Sequence, residues 1–212
     1  MHFSLKPVLA VAAASLSLSS LAATVQYSNR AAFTAAVGPV ATNDLNSFVV
    51  DVPLSGGVVV PAGAFTITGP NSGVARIDAG GDGATPVDGT AYVQGIGAAG
   101  SAITFTFANA ITAFGVDLFG INNGADRTFV RIGADVFNLP VVAGNQSSFF
   151  GVSSDVAFNT VAFTLRSGED AGLDNISFVT AAAVPTPSSL ALVLAAGGAL
   201  AFARTRPAKR RD

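Results

Sequence analysis

Along most of the chain, apolar and polar residues alternate with a period of two. Ile103-Thr104-Phe105-Thr106-Phe107 keeps this alternation strictly, and Phe65-Thr66-Ile67-Thr68 and Val161-Ala162-Phe163-Thr164-Leu165 keep it more loosely. That period, carried by aromatic and β-branched residues, predicts strands with one buried face. Further strands are predicted over residues 48–52, 91–94, 114–119, 128–132 and 173–179. Turn clusters such as Asp78-Ala79-Gly80-Gly81-Asp82-Gly83 and Asn122-Asn123-Gly124-Ala125-Asp126 separate them. Only residues 28–37 read as a helix. Ser28 is placed to cap it, Phe33 and Val37 fall on one face, and Gly38-Pro39 ends it. Short strands at intervals of roughly ten residues, with almost no helix, predict an all-β fold, an antiparallel, jelly-roll-like β-sandwich with one short N-terminal helix. The lack of helical stretches between strands excludes a doubly wound α/β sheet, and no fixed-period repeat supports a β-helix or propeller.

Both ends break the pattern. Residues 1–23 carry Lys6 in a short polar opening, run apolar from Val8 to Leu21, and finish in Ser20-Leu21-Ala22-Ala23. This is the layout of a secretory signal peptide, cut after Ala22 or Ala23. Residues 24–180 form the middle domain. Residues 181–212 contain Pro185-Thr186-Pro187, an apolar run over 190–203, and five cations from Arg204 to Arg211. Taken as a helix, residues 188–203 rise about 24 Å, short of the roughly 30 Å of a bilayer's hydrocarbon core, so the span is marginal. The cations hold the C-terminus in the cytoplasm, and the middle domain then faces outward, as the signal peptide requires.

The order of these last parts, Val184-Pro185-Thr186-Pro187-Ser188-Ser189, then an Ala/Leu/Gly-rich helix, then an arginine cluster, resembles the PEP-CTERM sorting segment of Gram-negative bacteria. The resemblance implies that the precursor passes through the inner membrane and that an exosortase recognises the segment and removes the tail. The mature protein would then reach the cell surface or extracellular matrix. Val184, Pro185, Thr186 and Pro187 occupy the motif, with Thr186 where the family carries glutamate. Gly172-Leu173-Asp174-Asn175-Ile176-Ser177-Phe178 is also similar to the last strand of jelly-roll carbohydrate-binding modules, in some of which an aspartate there holds a structural calcium. Here that residue is Asp174.

Composition narrows the chemistry. His2 is the only histidine, Lys6 and Lys209 the only lysines, and the chain has neither cysteine nor tryptophan. The middle domain therefore has no Ser-His-Asp or Cys-His machinery, no thiolate or imidazole zinc site and no phosphate-loop lysine. Its twelve acidic residues against five arginines leave about −7, which disfavours nucleic acid. Carboxylates in glycine-rich loops suit a hard cation such as calcium. Two groups qualify: Asp78, Asp82 and Asp88, and Glu169, Asp170 and Asp174. Both readings stay open, because Asp and Gly also cluster wherever turns form, and Arg127, Arg131 or Arg166 would serve Asp174 as a partner in place of a metal. Tyr27 and Tyr92 are the only tyrosines for stacking on a sugar, and Phe149-Phe150 reads as core.

The expectation is thus a non-enzymatic, exported β-sandwich that acts as a structural or glycan-associating component of the polysaccharide matrix. The alternatives are a membrane-tethered domain that binds a protein partner and, more remotely, a carboxylate-based glycoside hydrolase.

Overall fold

The computed structural model describes residues 23–80, 90–97, 100–122, 127–142, 146–168 and 170–182. The chain runs β1 (Thr24–Tyr27), α1 (Arg30–Val37), β2 (Ala41–Asn43), β3 (Val52–Pro53), β4 (Val59–Ala62), β5 (Phe65–Thr68), β6 (Gly73–Asp78) and β7 (Tyr92–Gly97). It continues through β8 (Ala102–Phe119), β9 (Phe129–Ile132), β10 (Asp135–Asn138), β11 (Ser147–Thr164) and β12 (Asp170–Thr180). The described residues form an all-β fold, with antiparallel pairing between the strands and one short helix.

Two strands of 18 residues each, β8 and β11, organise the molecule. Their register breaks between Ser153 and Thr160, opposite the exposed Ala108-Asn109-Ala110 of β8, so each strand contributes to two layers. In the first layer the N-terminal half of β8 pairs with β5, which carries β4, and the C-terminal half of β11 pairs with β9, which carries β10. In the second layer the other halves of β8 and β11 lie side by side, with β1 on β11 and β12 on β8. Beyond β12 follow β7, β6 and β3. Phenylalanines fill the space between layers: Phe107 and Phe178 have ring centroids 5.1 Å apart, Phe114 and Phe163 6.1 Å, and Phe65 and Phe178 6.2 Å. The period-two apolar positions supply this core, where Phe105, Phe163, Ile67 and Ile103 are buried.

Several expectations change. Residues 103–107 and 114–119 belong to one bent strand, not two. Of 48–52 only Val52 is strand, while Val49 and Val50 are exposed, because an apolar run with no alternation fits no half-buried face. The helix cap is Asn29 rather than Ser28: Asn29 Oδ1 accepts from Ala32 N at 3.1 Å from an extended backbone. Gly38, at a positive φ, closes the other end by donating to Thr34 O. Among the described residues no helix is long and apolar enough to cross a membrane. The signal sequence up to Ala22, and the sorting segment with Val184, Pro185, Thr186 and Pro187, lie outside the described residues.

Candidate functional site

In the second layer, side-chain parity separates two faces. Ala75, Ile77, Val93, Val116, Leu118, Ala171 and Leu173 point to the core. Their neighbours of opposite parity point outward, and this outer face is divided in two. Over one half lies α1, whose Phe33 packs on Ala113 and Phe149 above the cross-strand pair Gly115 and Gly151. The other half is polar, and among the described residues no helix lies over it.

Arg76 on β6 is the centre of that polar half. Its Nε donates to Gln94 Oε1 at 2.9 Å, one terminal nitrogen meets Asp51 Oδ2 at 2.9 Å, and the other meets Asp78 Oδ2 at 2.6 Å. These are charge-assisted bonds, short for that reason. Backbone amides complete the cluster, Ala79 N on Asp51 Oδ1 and Gly80 N on Asp78 Oδ1, each at 3.0 Å. Gln94 extends it across the sheet by donating from Nε2 to Asp170 Oδ1 at 3.0 Å. Asp78 is fully buried, and Gln94 and Tyr92 nearly or wholly so, while Asp51 and Asp170 reach solvent. Tyr92 donates its hydroxyl to Asp78 Oδ2 at 3.3 Å. Burial first, then the negative charges of Asp78 and Asp170, raise its pKa well above the ordinary tyrosine value.

A second arginine closes the other side of the face. Arg30, the first residue of α1, meets Asp117 Oδ1 at 2.9 Å and donates to Ser177 Oγ at 2.6 Å and Asn175 O at 3.1 Å. Its guanidinium lies 4.8 Å above the Phe149 ring. Asn175 sits at the β12 bulge with a φ of 51°, a conformation asparagine tolerates, and its side chain donates to Asp117 Oδ2 at 3.1 Å. Asp174, the register partner of Asp117, is fully buried, and its Oδ1 accepts from Asn175 N at 2.6 Å.

The fold therefore places Asp78, Asp170 and Asp174, three of the sequence candidates, on one sheet face, and ties the first two together through Arg76 and Gln94. Asp82, Asp88 and Glu169 lie outside the described residues. The carboxylates of Asp78 and Asp174 accept from protein donors, and among the described residues no three His, Cys, Asp or Glu side chains gather closely enough to hold a metal. Sequence reading passed over Arg76, Gln94, Asp51, Asp117 and Arg30. Its missed signal is parity: Arg76 and Asp78 alternate with Ala75 and Ile77, and Gln94 alternates with Val93.

Among the described residues, the face holds five carboxylates (Asp51, Asp78, Asp117, Asp170, Asp174) against two guanidinium groups (Arg30, Arg76), a formal excess of −3. It offers fixed donors and acceptors. The aromatic pair Tyr92 and Phe119, 6.0 Å apart at 82°, is buried, and Phe119 lies against Gly172, where a Cβ would stand 2.1 Å from the ring. Neither ring is a stacking platform. Two open clefts, of about 400 and 230 Å³, flank Phe158 at the bend of β11, and the smaller reaches Thr24 and Ser154 where β1 begins.

Fold and face together define an all-β protein whose second layer carries a helix on one half and a polar, net-acidic network on the other. No family model matches the chain, and no curated protein matches it. Among solved structures, the GH26-CBM35 beta-(1,4)-mannanase of Podospora anserina is similar at a TM-score of 0.36 with 18% identity, over 66% of this chain. This chain spans 29% of that protein's length, and the likeness is too slight to carry an argument about ligand or activity.

Proposed function

We propose that this is an exported, non-enzymatic protein, a jelly-roll-like β-sandwich carried by its PEP-CTERM-like tail to the cell surface or polysaccharide matrix, where it associates with glycan through the polar half of the second layer. The observation that supports this reading is the network of Arg76, Asp51, Gln94 and Asp170. It spans three neighbouring strands and leaves two carboxylates at solvent, each held in place by a hydrogen bond or ion pair. Oriented carboxylates and amides are suited to sugar hydroxyls, because charge-assisted bonds to pre-positioned groups cost little ordering on binding. The acidic excess favours an uncharged glycan, or an anionic one bridged by calcium, over a bare polyanion.

The test is co-sedimentation of the mature protein with the producing organism's extracellular polysaccharide, in calcium and then in chelator. The double variant Asp51→Asn, Asp170→Asn changes only the two solvent-reaching carboxylates. Binding that falls at least tenfold in this variant, with an unchanged melting temperature, is expected. Loss of binding in chelator assigns calcium a bridging role, and binding equal in both conditions assigns direct contact. Absence of binding throughout overturns the reading, and release of reducing ends that depends on Asp174 or Glu169 overturns its non-enzymatic part.

A second reading, a tethered domain that binds a protein partner, is favoured by the exposed Val49, Val50, Val58 and Val59 on either side of β3. The C-terminal mass of the mature protein separates the two, since an intact arginine-rich tail fits only tethering.

A further inference from the structure

We propose that export cuts the chain between Ala22 and Ala23, and that the ammonium group created on Ala23 becomes the counter-ion of Asp155. This rests on the export reading and adds to it the register of the cut and a structural role for the new terminus.

The first ground is how β1 begins. Thr24 is the register partner of Ser154, and one position earlier Ala23 faces Asp155. In an antiparallel ladder a hydrogen-bonded pair exchanges two backbone bonds. Here Asp155 N donates to Ala23 O at 3.3 Å, but the return bond goes to the side chain: Ala23 N donates to Asp155 Oδ1 at 2.8 Å. The carboxylate takes the position of the carbonyl and closes the ladder at Ala23. Among the described residues no arginine forms an ion pair with Asp155, whereas Asp51, Asp78 and Asp117 each have one.

The second ground is independent and lies in the sequence. Small residues are required at the first and third positions before a signal-peptide cut. A cut after Ala22 places Ala22 and Ser20 there, while a cut after Ala23 places Leu21 at the third position. Both grounds select the same bond.

In the step itself, a signal peptidase adds water across the Ala22–Ala23 peptide. The C–N bond breaks, Ala22 leaves as a carboxylate, and the nitrogen of Ala23 gains protons to become an ammonium at neutral pH. A single amide donor already 2.8 Å from Asp155 thus becomes a cation with three donors. It adds one positive charge at an acid of a domain that carries an excess of about −7.

The experiment is an intact N-terminal mass on the exported protein, followed by NMR titration of its terminal amine in wild type and in Asp155→Asn, an exposed position whose loss leaves the fold in place. The expected terminus is Ala23, with an amine pKa ~0.2–0.7 units above the ordinary 7.7–8.0 that returns to that range in the variant. A terminus at Thr24 overturns the proposal. Retention of residues 1–22 on the exported protein overturns the cut as well, whereas a protein found only in the cytoplasm overturns the export reading, which is a separate outcome. A terminus at Ala23 whose amine titrates alike in both proteins overturns the counter-ion role of Asp155.

Discussion

Gly115 and Gly151 face each other across β8 and β11, and the absence of two side chains there seats the helix. A Cβ on Gly151 would stand 2.7 Å from Phe149 Cε1 and 2.9 Å from Phe33 Cδ2, and one on Gly115 2.8 Å from Phe149 Cζ. Both rings are themselves packed, with centroids 5.5 Å apart, so neither yields freely. Gly151→Ala is therefore expected to cost ~1–3 kcal/mol by overpacking. In calorimetry that is a drop of ~2–4 °C for each kcal/mol in a domain of this size. An unchanged melting temperature would show that the helix is not seated on this pair. Nothing in the sequence around either glycine distinguishes it from the turn glycines, because the rings that need the space arrive from elsewhere in the chain.

At the scale of elements, α1 has a rich supply of alanine, but eight residues are too few to hold a helix in water without a cap and a docking face. The cap separates two neighbouring polar residues that sequence patterns rank alike. Asn29→Ala removes the bond to Ala32 N and is expected to cost ~1 kcal/mol, while Ser28→Ala stays within ~0.5 kcal/mol. Chemical denaturation of both variants checks this, and equal losses would refute the assignment. The strands were legible where apolar and polar residues alternate: 65–68 matches β5 end to end, 103–107 falls inside β8, and 161–165 runs one residue past the end of β11, while 173–179 falls inside β12. What alternation does not encode is where a strand bends. The two long strands change layers at exposed segments whose composition also suits a turn, and only the pairing of their halves with different neighbours makes each a single strand.

For the whole molecule, the buried polar network sets a pH limit. Tyr92 keeps its proton in the folded state well past the point at which it ionises in the unfolded chain, near 10. Above that pH the unfolded chain has released a proton that the native one retains, so stability falls as pH rises. The contribution is complete below pH ~10 and is lost above it. Melting temperatures from pH 8 to 11 should fall more steeply in wild type than in Tyr92→Phe, which removes the ionisable group and keeps the ring. Parallel curves would show that Tyr92 is not linked to folding. The same face illustrates how the candidate site was only half legible. Asp78, Asp170 and Asp174 stand out in the sequence as carboxylates near glycines. Their shared face depends on β6, β7, β12 and β8 lying side by side, and the cation that neutralises Asp78 is Arg76, two residues earlier on the same strand.

Sequence alone determined the secondary-structure class, the position of the helix, the stripped catalytic inventory and the terminal segments that read as addresses. These follow from local periodicity and residue type, which need no knowledge of what lies opposite. Tertiary structure alone decided the division of β8 and β11 between two layers, the seating of α1 on paired glycines, and the joining of Asp51, Arg76, Gln94 and Asp170 into one network. Each of these depends on contacts between residues 18 to 76 positions apart or more, and a period of two says which face a side chain takes but not which strand stands beside it.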